Sequence, residues 1–155
     1  MKTKAIICDL DGTLCNDDHR KEAIKDIVGA AKWGEKEYNR YYELMDKDTP
    51  FTHISDILHR FEDDHQIIFM TGRPLRFSDT TRKWFSEHMS LKNKPILLMR
   101  QDNDYRCDTV VKTELYEEMI KPHFDVQFVL EDRKRVVKMW RSLGLKCLEV
   151  AEADF

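Results

Sequence analysis

Only five glycines and four prolines interrupt the 155 residues, and no internal repeat or low-complexity segment appears. The four cysteines, Cys8, Cys15, Cys107 and Cys147, form no C-x-x-C pair and no zinc spacing. A disulfide framework is therefore not expected; free thiols in a reducing cytosol are. No run of 18 apolar residues occurs, and Lys2 and Lys4 precede only four apolar residues, too few for a signal peptide. The expectation is a cytoplasmic protein that does not touch a membrane. A general surplus of positive charge is missing too, and a net charge of −3 argues against a broad basic face for long nucleic acids. The six histidines make no H-E-x-x-H pattern. His53, His59 and His65 are six residues apart, share no helical face and read as surface or capping residues. Gly29 and Gly34 have the glycine spacing of a phosphate-binding loop, but Glu35 follows them and no strand precedes.

What the chain does have is a 41% hydrophobic content and a regular alternation of patterns. This is one domain, residues 1–155, long enough to bury a real core. Ala5 to Cys8 reads as a short buried strand. Ile24, Ile27, Val28 and Ala31 mark an amphipathic helix, and a second stripe runs through Tyr38, Tyr41, Tyr42 and Met45. Thr49-Pro50 is expected to be a helix N-cap with proline at the first helical position, opening a helix with Ile54, Ile57, Leu58 and Phe61. Further strands are expected at 66–70, 96–99, 126–130 and 146–150, with helices between them. One helix carries Thr81 and Trp84, one starts at Asp108 as N-cap, and one carries Val136 and Trp140. Strands alternating with helices imply an α/β fold: a parallel, Rossmann-like sheet flanked by helices. Residues 20–50 do not fit the alternation and read as a small helical cap inserted after strand one.

A parallel sheet gathers the carboxyl ends of its strands at one edge, where ligands bind. Strand one ends in Asp9 and Asp11, which in an extended segment point the same way, about 5–7 Å apart. Gly12 lets the chain turn, and Thr13 adds a hydroxyl. Strand two ends in Thr71, Gly72 and Arg73, strand three leads to Arg100, Asp108 and Lys112, and strand four ends in Glu131 and Asp132. No serine–histidine or cysteine–histidine pair is present, so a Ser or Cys nucleophile has no base. Clustered oxygens with few nitrogen or sulfur ligands select Mg²⁺. An aspartate can attack phosphorus. A phosphate dianion facing it meets repulsion of order 8 kcal/mol at 4 Å and an effective dielectric near 20. Mg²⁺ and Lys112 are the compensation that such a step requires.

The motifs Asp9-Leu10-Asp11-Gly12-Thr13-Leu14, Thr71-Gly72-Arg73, Lys112 and Glu131-Asp132, in that order, resemble those of the haloacid-dehalogenase-like (HAD) phosphatases. Thr81 to Trp84, Asp108 to Lys112, and His123 through Trp140 to Phe155 narrow the resemblance to the 3′-phosphatase domain of phage polynucleotide kinase-phosphatase. That likeness implies a set of roles. Asp9 is the nucleophile forming an aspartyl-phosphate, and Asp11 is the acid and then the base, its carbonyl binding Mg²⁺. Thr71 and Lys112 hold the phosphoryl group, and Asp132 with Glu131 completes the metal shell. Arg20, Gly72 and Arg73 contact substrate, and Asp108 orients Lys112. Glu131 departs from the pattern, which has an aspartate there. The stretch from Trp33 to Pro50 is longer, and no kinase half is seen.

The implied activity is removal of phosphate from the 3′ ends of nucleic acid, with a separate kinase or ligase as a possible partner and a homodimer as a possible assembly. Mononucleotides or other small phosphate esters are the alternative substrates, and a phosphoacceptor receiver domain is the alternative of another class. Arg20 is alternatively a surface arginine at a helix start, and Arg73 a partner for a carboxylate. The tyrosine stripe is a cap packing on its own domain, a platform for a nucleobase, or a self-association surface. Residues 73–112 hold nine Lys or Arg against five Asp or Glu. That surplus is either a solvated face or an electrostatic guide for phosphate.

Overall fold

Every other side chain of an extended segment faces the same way, and this divides the first apolar run between two cores. In the computed structural model, which describes residues 1–28 and 34–153, β1 (Thr3–Cys8) lies at the centre of the sheet. Ile6 and Cys8 join one buried cluster, with Leu58 and Trp84, and Ala5 and Ile7 join another, with Val136 and Trp140. Both faces of β1 are thus covered, which is why it carries an unbroken apolar run instead of alternating with polar residues.

The chain continues through β2 (Cys15–Asn16), α1 (Asp18–Val28), α2 (Glu35–Glu43), β3 (Thr49–Pro50), α3 (Thr52–Phe61) and β4 (Gln66–Pro74). It then forms α4 (Ser78–His88), β5 (Ile96–Arg100), α5 (Asp108–Leu115), β6 (Phe124–Arg133), α6 (Lys134–Ser142) and β7 (Cys147–Ala153). Five strands pair in the order β5-β4-β1-β6-β7, and every pairing is parallel. The expected α/β architecture is therefore present. No helix among the described residues is long and apolar enough to cross a membrane.

Three local expectations are corrected. Thr49-Pro50 does not open a helix: it pairs antiparallel with Cys15-Asn16, and α3 starts at Thr52 with Phe51 before it. The Phe51 amide donates to the Leu14 carbonyl at 2.8 Å, which ties this small ribbon to the turn after β1. Asp108 is the first residue of α5 and not its N-cap; Cys107 holds that position, and the Asp108 carboxylate is engaged elsewhere. Strands β4 and β6 run on through their polar residues to Pro74 and Arg133, so Thr71, Arg73, Glu131 and Asp132 lie on extended backbone. Around the insert, Ile24, Tyr41 and Tyr42 form a third, smaller cluster against Phe77. Met45 is buried as well, while Tyr38 is 41% exposed. Ala31, Trp33, Asp154 and Phe155 lie outside the described residues.

Candidate active site

Beyond Cys8 the chain leaves the strand and wraps a tight turn on one carbonyl. The amides of Thr13, Leu14 and Cys15 donate to Leu10 O at 3.0, 2.9 and 2.8 Å. Gly12 takes φ +82°, in the left-handed region where glycine carries no Cβ penalty. A Cβ there would collide with the Asp132 carboxylate, so the glycine also lets the end of β6 approach the turn. Asp9 and Asp11 are close enough for the charge of Asp11 to help raise the Asp9 pKa, yet each carboxylate has its own partners.

Asp9 belongs to a group with Glu131 and Asp132, whose ligand atoms lie within 4.8 Å of one another. Lys112, 3% exposed, donates to Asp9 Oδ1 and to Glu131 Oε2, both at 2.8 Å. The Thr13 hydroxyl donates to Asp132 Oδ1 at 3.1 Å and lies 3.5 Å from Asp9 Oδ2. Glu131 Oε1 accepts the Asp132 amide at 3.2 Å, which fixes its orientation. Three buried carboxylates face one ammonium here, a formal charge of −2. The electrostatics follow: burial, then Glu131, push Asp9 up to about 7 despite Lys112. Burial, then Asp9, push Asp132 up to about 6. Burial raises Glu131 as well. An all-oxygen group short of two positive charges is the environment that a hard divalent cation fits.

Asp11 lies in a different setting. Arg73 donates to it from Nε at 3.1 and 3.2 Å and from Nη2 at 2.6 Å, and Arg20 Nη2 donates to Asp11 Oδ1. Both arginines are essentially buried, and a second carboxylate, Asp48, sits behind them. Arg20 reaches Asp48 from Nε at 3.0 Å and from Nη2 at 2.8 Å, and Arg73 Nη2 lies 3.5 Å away. His19 Nε2 adds a 2.8 Å contact to Asp48 Oδ1. Two carboxylates and two guanidiniums leave this clamp neutral. Burial works against ionising Asp11, but Arg20 and Arg73 outweigh it and hold its carboxyl well below the ordinary range. The Tyr41 ring covers the Arg20 guanidinium with its centroid 4.2 Å away, and the Tyr41 hydroxyl donates to Asp17. Arg20 Nη1 is buried without a hydrogen-bond partner.

The remaining sequence candidates have partners of their own. Thr71 is fully buried, and its hydroxyl oxygen accepts the Arg73 amide at 3.1 Å. The Gly72 carbonyl accepts Arg100 Nε at 3.0 Å. Arg73 is the partner of a carboxylate, as its alternative reading had it, while Arg20 is no surface residue. Asp108 does not touch Lys112. It accepts from Arg133 Nη1 at 2.5 Å and Arg135 Nε at 3.2 Å, while Lys112 turns toward Asp9 and Glu131. Asp48 and Thr81, which accepts Arg73 Nη1 at 3.1 Å, complete the clamp. No motif marks Asp48: it lies in the irregular insert, 28 residues from Arg20.

Residues 3–155 match the family described as the polynucleotide kinase PNKP phosphatase domain. The chain belongs to that family. It is thus a HAD-type phosphatase domain, and the receiver-domain alternative is set aside. A relative described as a bifunctional polynucleotide kinase/RNA ligase of Autographa californica nuclear polyhedrosis virus is 28% identical over 153 residues, 92% of this chain and 18% of its own. Chains from two structures of the Pnkp1/Rnl/Hen1 complex, one of them described as an RNA repair complex, are 31% and 33% identical. Their TM-scores are 0.80 and 0.81 over 99% of this chain. A class C acid phosphatase from Bacillus anthracis shares the fold at 13% identity and a TM-score of 0.63, over 97% of this chain and 69% of its own. The phosphatase domain spans under half the length of the two complex chains, 44% and 48%, and under a fifth of the viral relative.

Proposed function

We propose that this phosphatase domain is a Mg²⁺-dependent 3′-phosphatase that removes the terminal phosphate from nucleic-acid ends through an aspartyl-phosphate. The observation that carries the chemistry is the pairing of a −2 pocket around Asp9 with a neutral arginine clamp around Asp11. Asp9, Asp132 and Glu131, together with the Asp11 main-chain carbonyl, would hold Mg²⁺, which supplies charge neutralisation and Lewis acidity toward a phosphate oxygen.

The protein's own groups supply the rest. An oxygen of Asp9 attacks phosphorus while Lys112 and Thr71 hold the phosphoryl oxygens. The ester P–O bond breaks, and the departing oxygen takes a proton from Asp11. In the second step water attacks the aspartyl-phosphate, Asp11 takes its proton, and inorganic phosphate leaves with Asp9 restored. The ionised state of Asp11 is what that second step needs. A phosphate dianion entering nearby opposes ionisation and raises the Asp11 pKa, as the first step needs. Arg20 and Arg73 act through Asp11 by fixing its position. The described part of residues 20–50 is read as a cap on this edge, since the Tyr42 hydroxyl of α2 donates to the Gly72 carbonyl of β4 at 3.4 Å.

The 3′ end as substrate rests on family membership and on the nucleic-acid functions described for the relatives. A kinase or ligase acting on the same ends, on a further segment or a separate protein, is the partner this reading calls for. The test uses a 3′-phosphorylated oligonucleotide, a 3′-mononucleotide, a 5′-mononucleotide and an aryl phosphate, each with Mg²⁺ and with chelator. Metal-dependent phosphate release, fastest from the oligonucleotide, is the expected result. Fast turnover of mononucleotides with an inert oligonucleotide would assign the site to small phosphate esters.

A further inference from the structure

Most basic side chains of residues 73–112 are engaged within the fold, Arg82 and Lys94 excepted. Arg73 and Lys112 are bound to buried acids, and Arg106 pairs with Asp104 and Glu114. Arg76 and Lys92 pair with Asp102 and Asp63, and Arg100 is engaged by backbone carbonyls. Positive charge gathers elsewhere. The 14 residues from Arg133 to Lys146 contain six Lys or Arg and no acid, Arg133 and Arg135 being the two that pair with Asp108. Against an overall −3, that segment carries +6 and the other 141 residues carry −9.

Helix geometry turns this run into a stripe. At 3.6 residues per turn, positions 134, 138 and 141 fall within about 60° of arc, with 135 beside them. Val136, Val137 and Trp140 are buried in the core, Val137 beside the stripe and the other two across the helix from it. Lys134, Arg135, Lys138, Arg141 and Lys146 are all exposed. No carboxylate among the described residues lies within ion-pair distance of Lys138, Arg141 or Lys146. Arg141 Nη2 donates to the Cys147 carbonyl at 3.0 Å, which anchors it at the end of the helix. The stripe also has an origin. It starts two residues after Asp132 of the carboxylate group, at the carboxyl edge of the sheet, and runs about 13 Å along α6 to the opposite edge.

We propose that the exposed face of α6 is the track on which the strand leading up to the terminal 3′-phosphate lies, with Lys138 and Arg141 contacting its phosphodiesters. The inference rests on the 3′-end reading above and deepens it. A mononucleotide reaches only the pocket, whereas a polynucleotide must lay its remaining phosphates on a protein that is otherwise strongly negative. The α6 face is where a repeated polyanion finds complementary charge continuous with the site. Both contacts are to backbone phosphate, so the track favours length over sequence.

The test compares wild type with Lys138→Gln/Arg141→Gln and with Lys138→Glu, all at exposed positions. For a 3′-phosphorylated 12-mer, KM rises about 5–50-fold at low salt in the double variant, and the salt slope falls by about 1.4, the loss of two single-strand phosphate contacts. The kcat stays unchanged, as do both constants for a nucleoside 3′-monophosphate. Equal losses on both substrates, or an unchanged KM and salt slope for the 12-mer, would overturn the proposal. A second arm measures binding of the 12-mer ending in a 3′-hydroxyl, which needs no catalysis. Should no phosphate ester be hydrolysed, the functional reading fails, and weaker binding by the variants still upholds the α6 track. Unchanged 12-mer binding with reduced capture by phosphatidylserine vesicles would overturn it in favour of a membrane surface.

Discussion

Asp9 and Asp11, two residues apart, are driven to opposite electrostatic states by their neighbours. Asp9 shares a −2 pocket and is pushed up to about 7, while Asp11 sits between two buried guanidiniums that favour its ionised form until a phosphate dianion enters. Replacing Asp9 by Asn removes the attacking oxygen's charge with little change of shape. Phosphate release should fall by about 10⁴-fold or more, as for other lost nucleophiles, with the circular dichroism spectrum retained. Asp48 acts at one remove. Asp48→Asn weakens its hold on Arg20 and so lets Asp11 shift; displacements near 1 Å cost on the order of 10²-fold in rate. A kcat loss of that order with KM nearly unchanged is expected, and an unaltered kcat would show that the clamp does not position Asp11. Asp48→Ala should also lower stability by about 3–5 kcal/mol in urea unfolding, since it leaves two buried guanidiniums sharing the one carboxylate of Asp11.

At the scale of elements, the turn after β1 decides how close β6 can come. Gly12 combines a positive φ with the contact to Asp132, so Gly12→Ala brings both backbone strain and a clash. Moving Asp132 away from Asp9 opens the carboxylate group. The variant should need roughly tenfold more Mg²⁺ for half-maximal activity, which a metal titration reads directly. The strands contribute through their length. Since β4 and β6 stay extended through Arg73 and Asp132, their last residues are carried past the sheet edge to meet Asp9 and Asp11. Breaker residues end the hydrophobic pattern at Met70 and Leu130, but pairing with neighbouring strands keeps the backbone extended beyond it.

For the whole molecule, the −2 pocket is a stability element as well as a site. Asp9 goes from an ordinary 3.8 to about 7 and Asp132 to about 6, so the folded state holds protons more tightly than the unfolded chain. Their contribution is full below about pH 4 and is lost as the pH rises through 6 and 7. Asp11, shifted downward, adds stability above about pH 4 and loses it only on further acidification, so it does not oppose this trend within the window. In chelator the Tm should therefore fall between pH 5 and pH 8. Added Mg²⁺ should restore it at pH 8 by binding the folded state, and Asp9→Asn should flatten the slope. A pH-independent Tm in chelator would show that the carboxylates are relieved in another way.

The sequence by itself determined the parallel sheet, because unbroken apolar runs alternating with amphipathic helices have few other ways to bury themselves. It also marked Asp9, Asp11, Thr71, Glu131 and Asp132, because strand ends concentrate polar residues where apolar patterning stops, and Lys112, inside α5, through the order of the motifs. Tertiary structure alone decided how those residues are shared. The turn at Gly12 sends Asp9 to Lys112 and Asp11 to Arg20 and Arg73, Asp108 pairs with Arg133 and Arg135 instead of Lys112, and Asp48 enters from the insert to complete the clamp. Pairings across 9 to 103 residues of chain depend on which buried charges find counter-charges in space. One-dimensional spacing does not encode that choice.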